Sequence, residues 1–154
     1  MPTFRDPEGF CCAHGDRILR VIYSEAIGRV RALVGSEFLR GLIEKGQFPA
    51  TQELSELEID EFSKTEASQP CWDPKPTCVL EHAKVPFVSY PHEWCPEMLF
   101  AAGELTLDLQ LRALDANLSL KDATPLNVLF KGSEPVFVDL LSFAARPPGQ
   151  AVWP

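Results

Sequence analysis

Three polar residues near the C-terminal end have the types and spacing to act on a charged substrate. Asp122 and Asn127 stand five positions apart with Pro125 between them, and Asp139 lies twelve beyond Asn127. A hard cation such as magnesium takes oxygen ligands, so an Asn carbonyl and a carboxylate suit it. The apolar runs Val128-Leu129-Phe130 and Pro135-Val136-Phe137-Val138 flank Lys131-Gly132-Ser133-Glu134, which reads as a hairpin. A tight hairpin brings its strand ends together, so Asn127 and Asp139 can converge on one ion despite their separation. Asp122 stands on the loop before the hairpin. The bland alternative is that Asp122 and Asn127 cap turns and Asp139 closes a strand.

The elements that must position these residues are legible in part. Gly9 to Ala13 and Arg17 to Tyr23 flank the turn signal His14-Gly15-Asp16, a first hairpin. Ser24 is expected to cap a helix with Ile27, Val30 and Val34 on one face. Ser36 is expected to cap a second, burying Phe38, Leu39, Leu42 and Ile43, with Gly46 at its C-terminal end. Residues 51–77 carry Glu53, Glu56, Glu58, Asp60, Glu61 and Glu66 against Lys64, followed by prolines, and read as an acidic solvated loop. Cys78 to Glu81 and Pro86 to Tyr90 read as two further strands. Pro96 opens a long helix to about Ala116, with Met98, Ala102, Leu105, Leu109 and Leu114 near one face.

The chain has 154 residues, 45% hydrophobic and 23% charged, which suits one globular domain. Its net charge of −8 disfavours a nucleic-acid partner, which would call for a basic face. No stretch has the length of apolar sequence needed to span a bilayer, and Met1 to Asp6 has no apolar signal core, so the expected location is cytoplasmic. The five cysteines, Cys11, Cys12, Cys71, Cys78 and Cys95, form no C-x-x-C pair and read as reduced and mostly buried. A metal- or redox-responsive module built on Cys71 and Cys78 is the lowest-ranked alternative.

The run from Leu120 to Phe130, followed by Pro135-Val136-Phe137-Val138-Asp139, resembles the catalytic loop and metal-binding hairpin of protein kinases and aminoglycoside phosphotransferase-like enzymes. That resemblance implies Asp122 as base, Asn127 and Asp139 as magnesium ligands, and ATP with magnesium as cofactors. It also makes Pro86 to Trp94 the hinge strand between two lobes. The sequence departs from the pattern in four ways. No G-x-G-x-x-G cradles phosphates, and no V-A-I-K strand supplies the lysine. Arg20, or less plausibly Lys45, is the substitute for phosphate contact, with Glu25 or Glu37 as its partner. Asp139-Leu140-Leu141 replaces D-F-G, and fifteen residues follow Asp139, so a truncated C-terminal lobe is expected.

A closer resemblance rests on Phe4-Arg5-Asp6-Pro7-Glu8-Gly9-Phe10, Val85 to Trp94, Leu120-Lys121-Asp122-Ala123 and Pro135 to Phe143. These stretches look like the N-terminal region of bacterial proteins identified as class I S-adenosylmethionine-dependent methyltransferases and related to a nodulation protein. The similarity covers nearly the whole chain outside residues 53–77. In that family the chain continues past a segment like Ala151 to Pro154 into further helices and a methyltransferase domain. None of the nine glycines forms the glycine-rich turn a methyl-donor site needs, so the methyltransferase domain is read as absent here.

The expectation is therefore an α+β chain: a single truncated kinase-like domain over 1–154, with a mostly antiparallel sheet and two or three packed helices. The leading functional expectation is a non-catalytic accessory or interaction domain, a pseudoenzyme. Its partner is a methyltransferase domain or protein, or a second copy. The alternative is an ATP- and magnesium-dependent phosphotransferase using Asp122, Asn127 and Asp139.

Overall fold

Every strand pairing in the computed structural model, which describes residues 7–64, 76–146 and 149, is antiparallel. The described residues build a mixed α and β structure with four α-helices and three antiparallel sheets. They fall into two compact units, Met1–Gly35 with Ala50–Lys84, and Ser36–Pro49 with Val85–Pro154. No helix among the described residues is long and apolar enough to cross a membrane.

In the first unit, strands β1 (Gly9–His14) and β2 (Arg17–Ile22) form the expected hairpin, in register from Gly9 opposite Ile22 to His14 opposite Arg17. Helix α1 (Ile27–Val34) follows, burying Val30 and Leu33. It starts after Ala26 without a side-chain cap, so the cap expected at Ser24 is corrected: Ser24 lies in the turn two residues upstream. Strands β3 (Thr51–Glu53) and β4 (Val79–His82) complete a four-stranded sheet in the order β1-β2-β4-β3.

Helix α3 (Glu56–Ser63) stands between β3 and β4 in sequence, so the acidic-loop expectation for residues 51–77 is overturned at its N-terminal half. Residues 65–75 lie outside the described residues. The physical reason is local. Ser55 and Glu58 form a reciprocal capping box, in which the Ser55 amide donates to Glu58 Oε2 at 2.9 Å and the Glu58 amide to Ser55 Oγ at 3.4 Å. Leu54 and Ile59 then enter a core with Phe10, Leu19, Val21 and Val79. The acidic side chains also find distant arginines: Arg31 donates to Glu53 at 2.6 Å, and Arg17 lies 4.0 Å from Glu58.

The second unit opens with helix α2 (Glu37–Glu44), where Ser36 Oγ accepts from the Leu39 amide at 3.1 Å, as expected. Leu39 and Leu42 are buried, while Phe38 and Ile43 are half-buried. Gly46 ends the helix at φ 70°, with its amide donating to Ile43 O at 3.0 Å and the Gln47 amide to Leu42 O at 2.9 Å. This is a Schellman motif, and its left-handed residue favours glycine.

Helix α4 (Pro96–Asp115) buries Ala102, Leu105, Leu109 and Ala113. Strand β5 (Leu118–Leu120) pairs with β8 (Phe143–Ala145), and β6 (Val128–Lys131) pairs with β7 (Glu134–Phe137). A single 3₁₀ turn, Pro125–Asn127, leads into β6, and another, Leu140–Ser142, leads into β8. The Phe143 ring meets Phe38 at 5.1 Å and Phe137 at 5.5 Å, within a core that includes fully buried Leu120, Leu140 and Leu141.

The strand expected over Pro86 to Tyr90 does not form. Pro86 and Pro91 lack the amide donors a ladder needs, and Phe87 is 73% exposed. The segment is held instead by side chains: Trp94 Nε1 donates to Ser89 Oγ at 3.0 Å, and the Trp94 ring meets Phe130 edge-on at 5.1 Å.

Candidate functional site

Strand β5 delivers the chain to Lys121, whose amide donates to Ser142 O at 2.8 Å. Asp122 follows and is exposed, its Oδ1 accepting from the Thr124 amide at 3.3 Å. The turn Pro125–Asn127 is fixed by the Asn127 amide donating to Thr124 O at 3.0 Å. Pro125 suits that turn, because its fixed φ and missing N–H cost nothing at a first position.

Hairpin β6–β7 then returns the chain to the same spot. Val128 pairs with Phe137, and the Val138 amide donates to Asn127 O at 2.9 Å, immediately before Asp139. The reversal occupies two residues, Gly132 and Ser133, between Lys131 and Glu134, with Gly132 at φ 66°. The expected turn was two residues wider, and Lys131 and Glu134 instead form the last strand pair.

The structure brings Asn127 and Asp139 together at a third side chain. Ser142 Oγ donates to Asp139 Oδ2 at 2.5 Å, and Asn127 Nδ2 lies 3.4 Å from the same Oγ and donates to Asp122 O at 3.2 Å. Asp122 joins this network through its backbone carbonyl, while its carboxylate faces the Thr124 amide. Ser142 is fully buried, and Asn127 and Asp139 are half-buried. Ser142 is not among the residues that the sequence marks as candidates. Its signal is the Asp-x-x-Ser spacing from Asp139, which suits a side chain reaching back across one turn.

Arg20 belongs to the first unit, on β2, and is 7% exposed. Its Nε donates to His82 Nε2 at 3.3 Å, and His82 Nδ1 lies 2.8 Å from Thr51 Oγ1. With Nε2 accepting, the ring proton sits on Nδ1 and is donated to Thr51. Burial first, and the Arg20 charge second, push the His82 pKa down to about 3, so the ring is neutral. Among the other residues weighed, Lys45 is the C-terminal cap residue of α2, Glu37 pairs with Arg40 at 3.4 Å, and Glu25 is exposed.

The donor set at Asn127 and Asp139 fits a hard cation in kind. Asn127 turns its amide nitrogen toward Asp122 and Ser142, which leaves the carbonyl oxygen as the ligand atom. One Asp139 oxygen is engaged by Ser142. Among the described residues there is no group of three His, Cys, Asp or Glu side chains suited to a metal. A magnesium ion at this pair would complete its shell with phosphate oxygens and water. In the first unit, β1 and β2 are joined by only two residues, Gly15 and Asp16, without a run of glycine amides.

Of the four described cysteines, Cys78 is buried, Cys11 and Cys12 are half-buried and Cys95 is exposed, so the expectation of mostly buried thiols is corrected. Burial first, then the neighbouring Glu53 carboxylate, push the Cys78 thiol up to about 11, which makes it a poor nucleophile. Cys71 lies outside the described residues.

Comparison with known proteins adds one relationship. The chain is 34% identical over 149 residues to nodulation protein NoeA of Rhizobium meliloti (strain 1021). The chain is related to a nodulation protein. The match takes in 96% of this chain, and so both units, but only 29% of NoeA. This chain therefore spans less than a third of NoeA's length. No protein-family model matches it.

Proposed function

We propose that this chain is a kinase-like accessory unit that binds a protein partner and carries no phosphotransfer of its own. The observation that carries this reading is the Ser142 hydroxyl, buried and bonded to Asp139 at 2.5 Å with Asn127 at 3.4 Å. It makes the residues suited to a cation part of an internal brace between the two ends of hairpin β6–β7. Arg20, the substitute for a phosphate-binding lysine, is likewise buried against His82. The kinase-like part of the proposal is supported by the order long helix, strand, one turn, hairpin, Asp and returning strand. The partner class implied by resemblance is a methyltransferase domain or protein, and the expected setting is the cytoplasm.

The second reading, an ATP- and magnesium-dependent phosphotransferase, is favoured by one observation. Asn127 and Asp139 converge within hydrogen-bond reach of a single atom while the nearby Asp122 carboxylate is exposed. In that reading Asn127 and Asp139 hold the cation and Asp122 accepts the proton of the acceptor hydroxyl. The cation supplies charge neutralisation at the phosphates when bound.

Thermal melting with millimolar ATP and magnesium separates the two. An unchanged melting temperature supports the accessory unit; a saturable rise that Asp139→Ala abolishes supports the enzyme.

A further inference from the structure

Helix α4 carries an apolar face that the described residues of its unit leave exposed. Leu99, Phe100, Leu107 and Leu111 are 51%, 68%, 53% and 65% exposed. Residues 99, 103, 107 and 111 follow a four-residue step, so they form one ridge along the helix. Gly103 interrupts that ridge, and a Cβ added there would meet nothing within 4 Å. The gap opens onto a cavity of about 240 Å³ that Ala123 and Pro125 close on the side of the candidate site. A notch between two leucines, beside a short wall, is the shape that receives a large apolar side chain from a second helix.

The charges around this groove select its occupant. The exposed Glu97, Glu104 and Asp115 of α4 lie along one border of the ridge, while beyond the groove's wall the exposed Lys121 and Asp122 carry opposite charges. The one basic residue of α4, Arg112, is turned to Asp108 and Gln47. A second copy of this chain packed antiparallel on this face would therefore set its acidic border against the same acidic border. A helix with apolar residues at three- and four-residue steps and lysine or arginine along the border that meets Glu97, Glu104 and Asp115 satisfies both features. From this we infer that the α4 face docks a basic amphipathic helix of a partner protein. The inference rests on the accessory-unit reading and gives that reading its partner chemistry.

The probe is a fluorescein-labelled peptide of about 18 residues, long enough to hold a helix, with leucines at those steps and lysine borders. A second peptide has glutamate borders. Anisotropy at physiological salt reads binding to the full chain, and circular dichroism checks that each variant is folded. The expected result is saturable one-to-one binding of the lysine peptide, weakened at least about tenfold by Gly103→Leu, and none of the glutamate peptide. Gly103→Leu changes no charge, so it separates docking in the groove from attraction to a chain of net charge −8. Leu107→Gln, at an already exposed position, is expected to weaken binding in the same direction.

Absent binding, or binding that neither substitution alters, overturns the inference. So does self-association in sedimentation that Phe100→Gln abolishes, since the second copy then covers the face. Asp139-dependent binding of ATP and magnesium would overturn the accessory-unit reading while leaving the peptide result intact, so the two failures are distinguishable.

Discussion

The hydroxyl of Ser142 donates to the carboxylate of Asp139 at 2.5 Å from a position with no solvent access. Asn127 reaches the same oxygen at 3.4 Å, so one buried atom joins the start of β6 to the residues beyond β7. Ser142→Ala leaves these two groups without that partner. It is expected to lower unfolding free energy by about 1–3 kcal/mol, the contribution of a hydrogen bond to a carboxylate together with a second, longer one. Urea denaturation checks this; a loss of only a few tenths would mean that the brace is not structural.

His82 gives the first unit a pH signature. Its pKa is about 3 in the folded chain against 6.5 ordinarily, because burial and Arg20 both oppose the charged ring. The unfolded chain binds more protons between those values, so stability is full above pH 6.5 and falls as pH drops toward 3. The limiting slope is about 1.4 kcal/mol per pH unit. Arginines hold Glu53 and Glu81 below their ordinary 4.5, so these carboxylates lose their contribution only below that pH. Unfolding measured between about pH 5 and 6.5 isolates the histidine effect. His82→Gln is expected to flatten it.

Two glycines are expected to respond to alanine with opposite signs. Gly132 turns hairpin β6–β7 at φ 66°, where a Cβ is strained, so Gly132→Ala is expected to cost about 1–2 kcal/mol. Gly103 lies inside α4 facing open space, so Gly103→Ala is expected to stabilise by about 0.5–1 kcal/mol through helix propensity. Denaturant midpoints of the two variants should move in opposite directions.

Ser55 opens α3 by accepting from the Glu58 amide while Glu58 reaches back to the Ser55 amide. Ser55→Ala is expected to cost about 1 kcal/mol. A melting temperature unchanged from that of the parent chain would show that Leu54 and Ile59 hold the helix in place without its cap.

The same capping box is a local signal that the surrounding charge masks. Ser55-Glu56-Leu57-Glu58 is a recognisable S-x-x-E start, but six acidic residues made the segment look solvated. The arginines that answer them, Arg17 and Arg31, come from β2 and α1, and such long-range pairings leave no local pattern. Other local signals were legible, Ser24 excepted. Gly15 and Gly132 mark the two hairpins, Ser36 and Gly46 bracket α2, and Pro96 opens α4. At the candidate site, the spacing of Asn127 and Asp139 around a tight turn anticipated that they meet. Ser142, where they meet, depended on the turn Leu140–Ser142 folding back, which an apolar run does not announce. Pro86 to Tyr90 misled in the other direction, because its apolar residues are displayed rather than paired.

The most direct measurement is isothermal titration of ATP with magnesium into the purified chain and into Asp139→Ala. No saturable heat is expected from either protein up to millimolar nucleotide, with Asp139→Ala differing only in stability. Saturable binding by the parent chain that Asp139→Ala removes would overturn the accessory-unit reading.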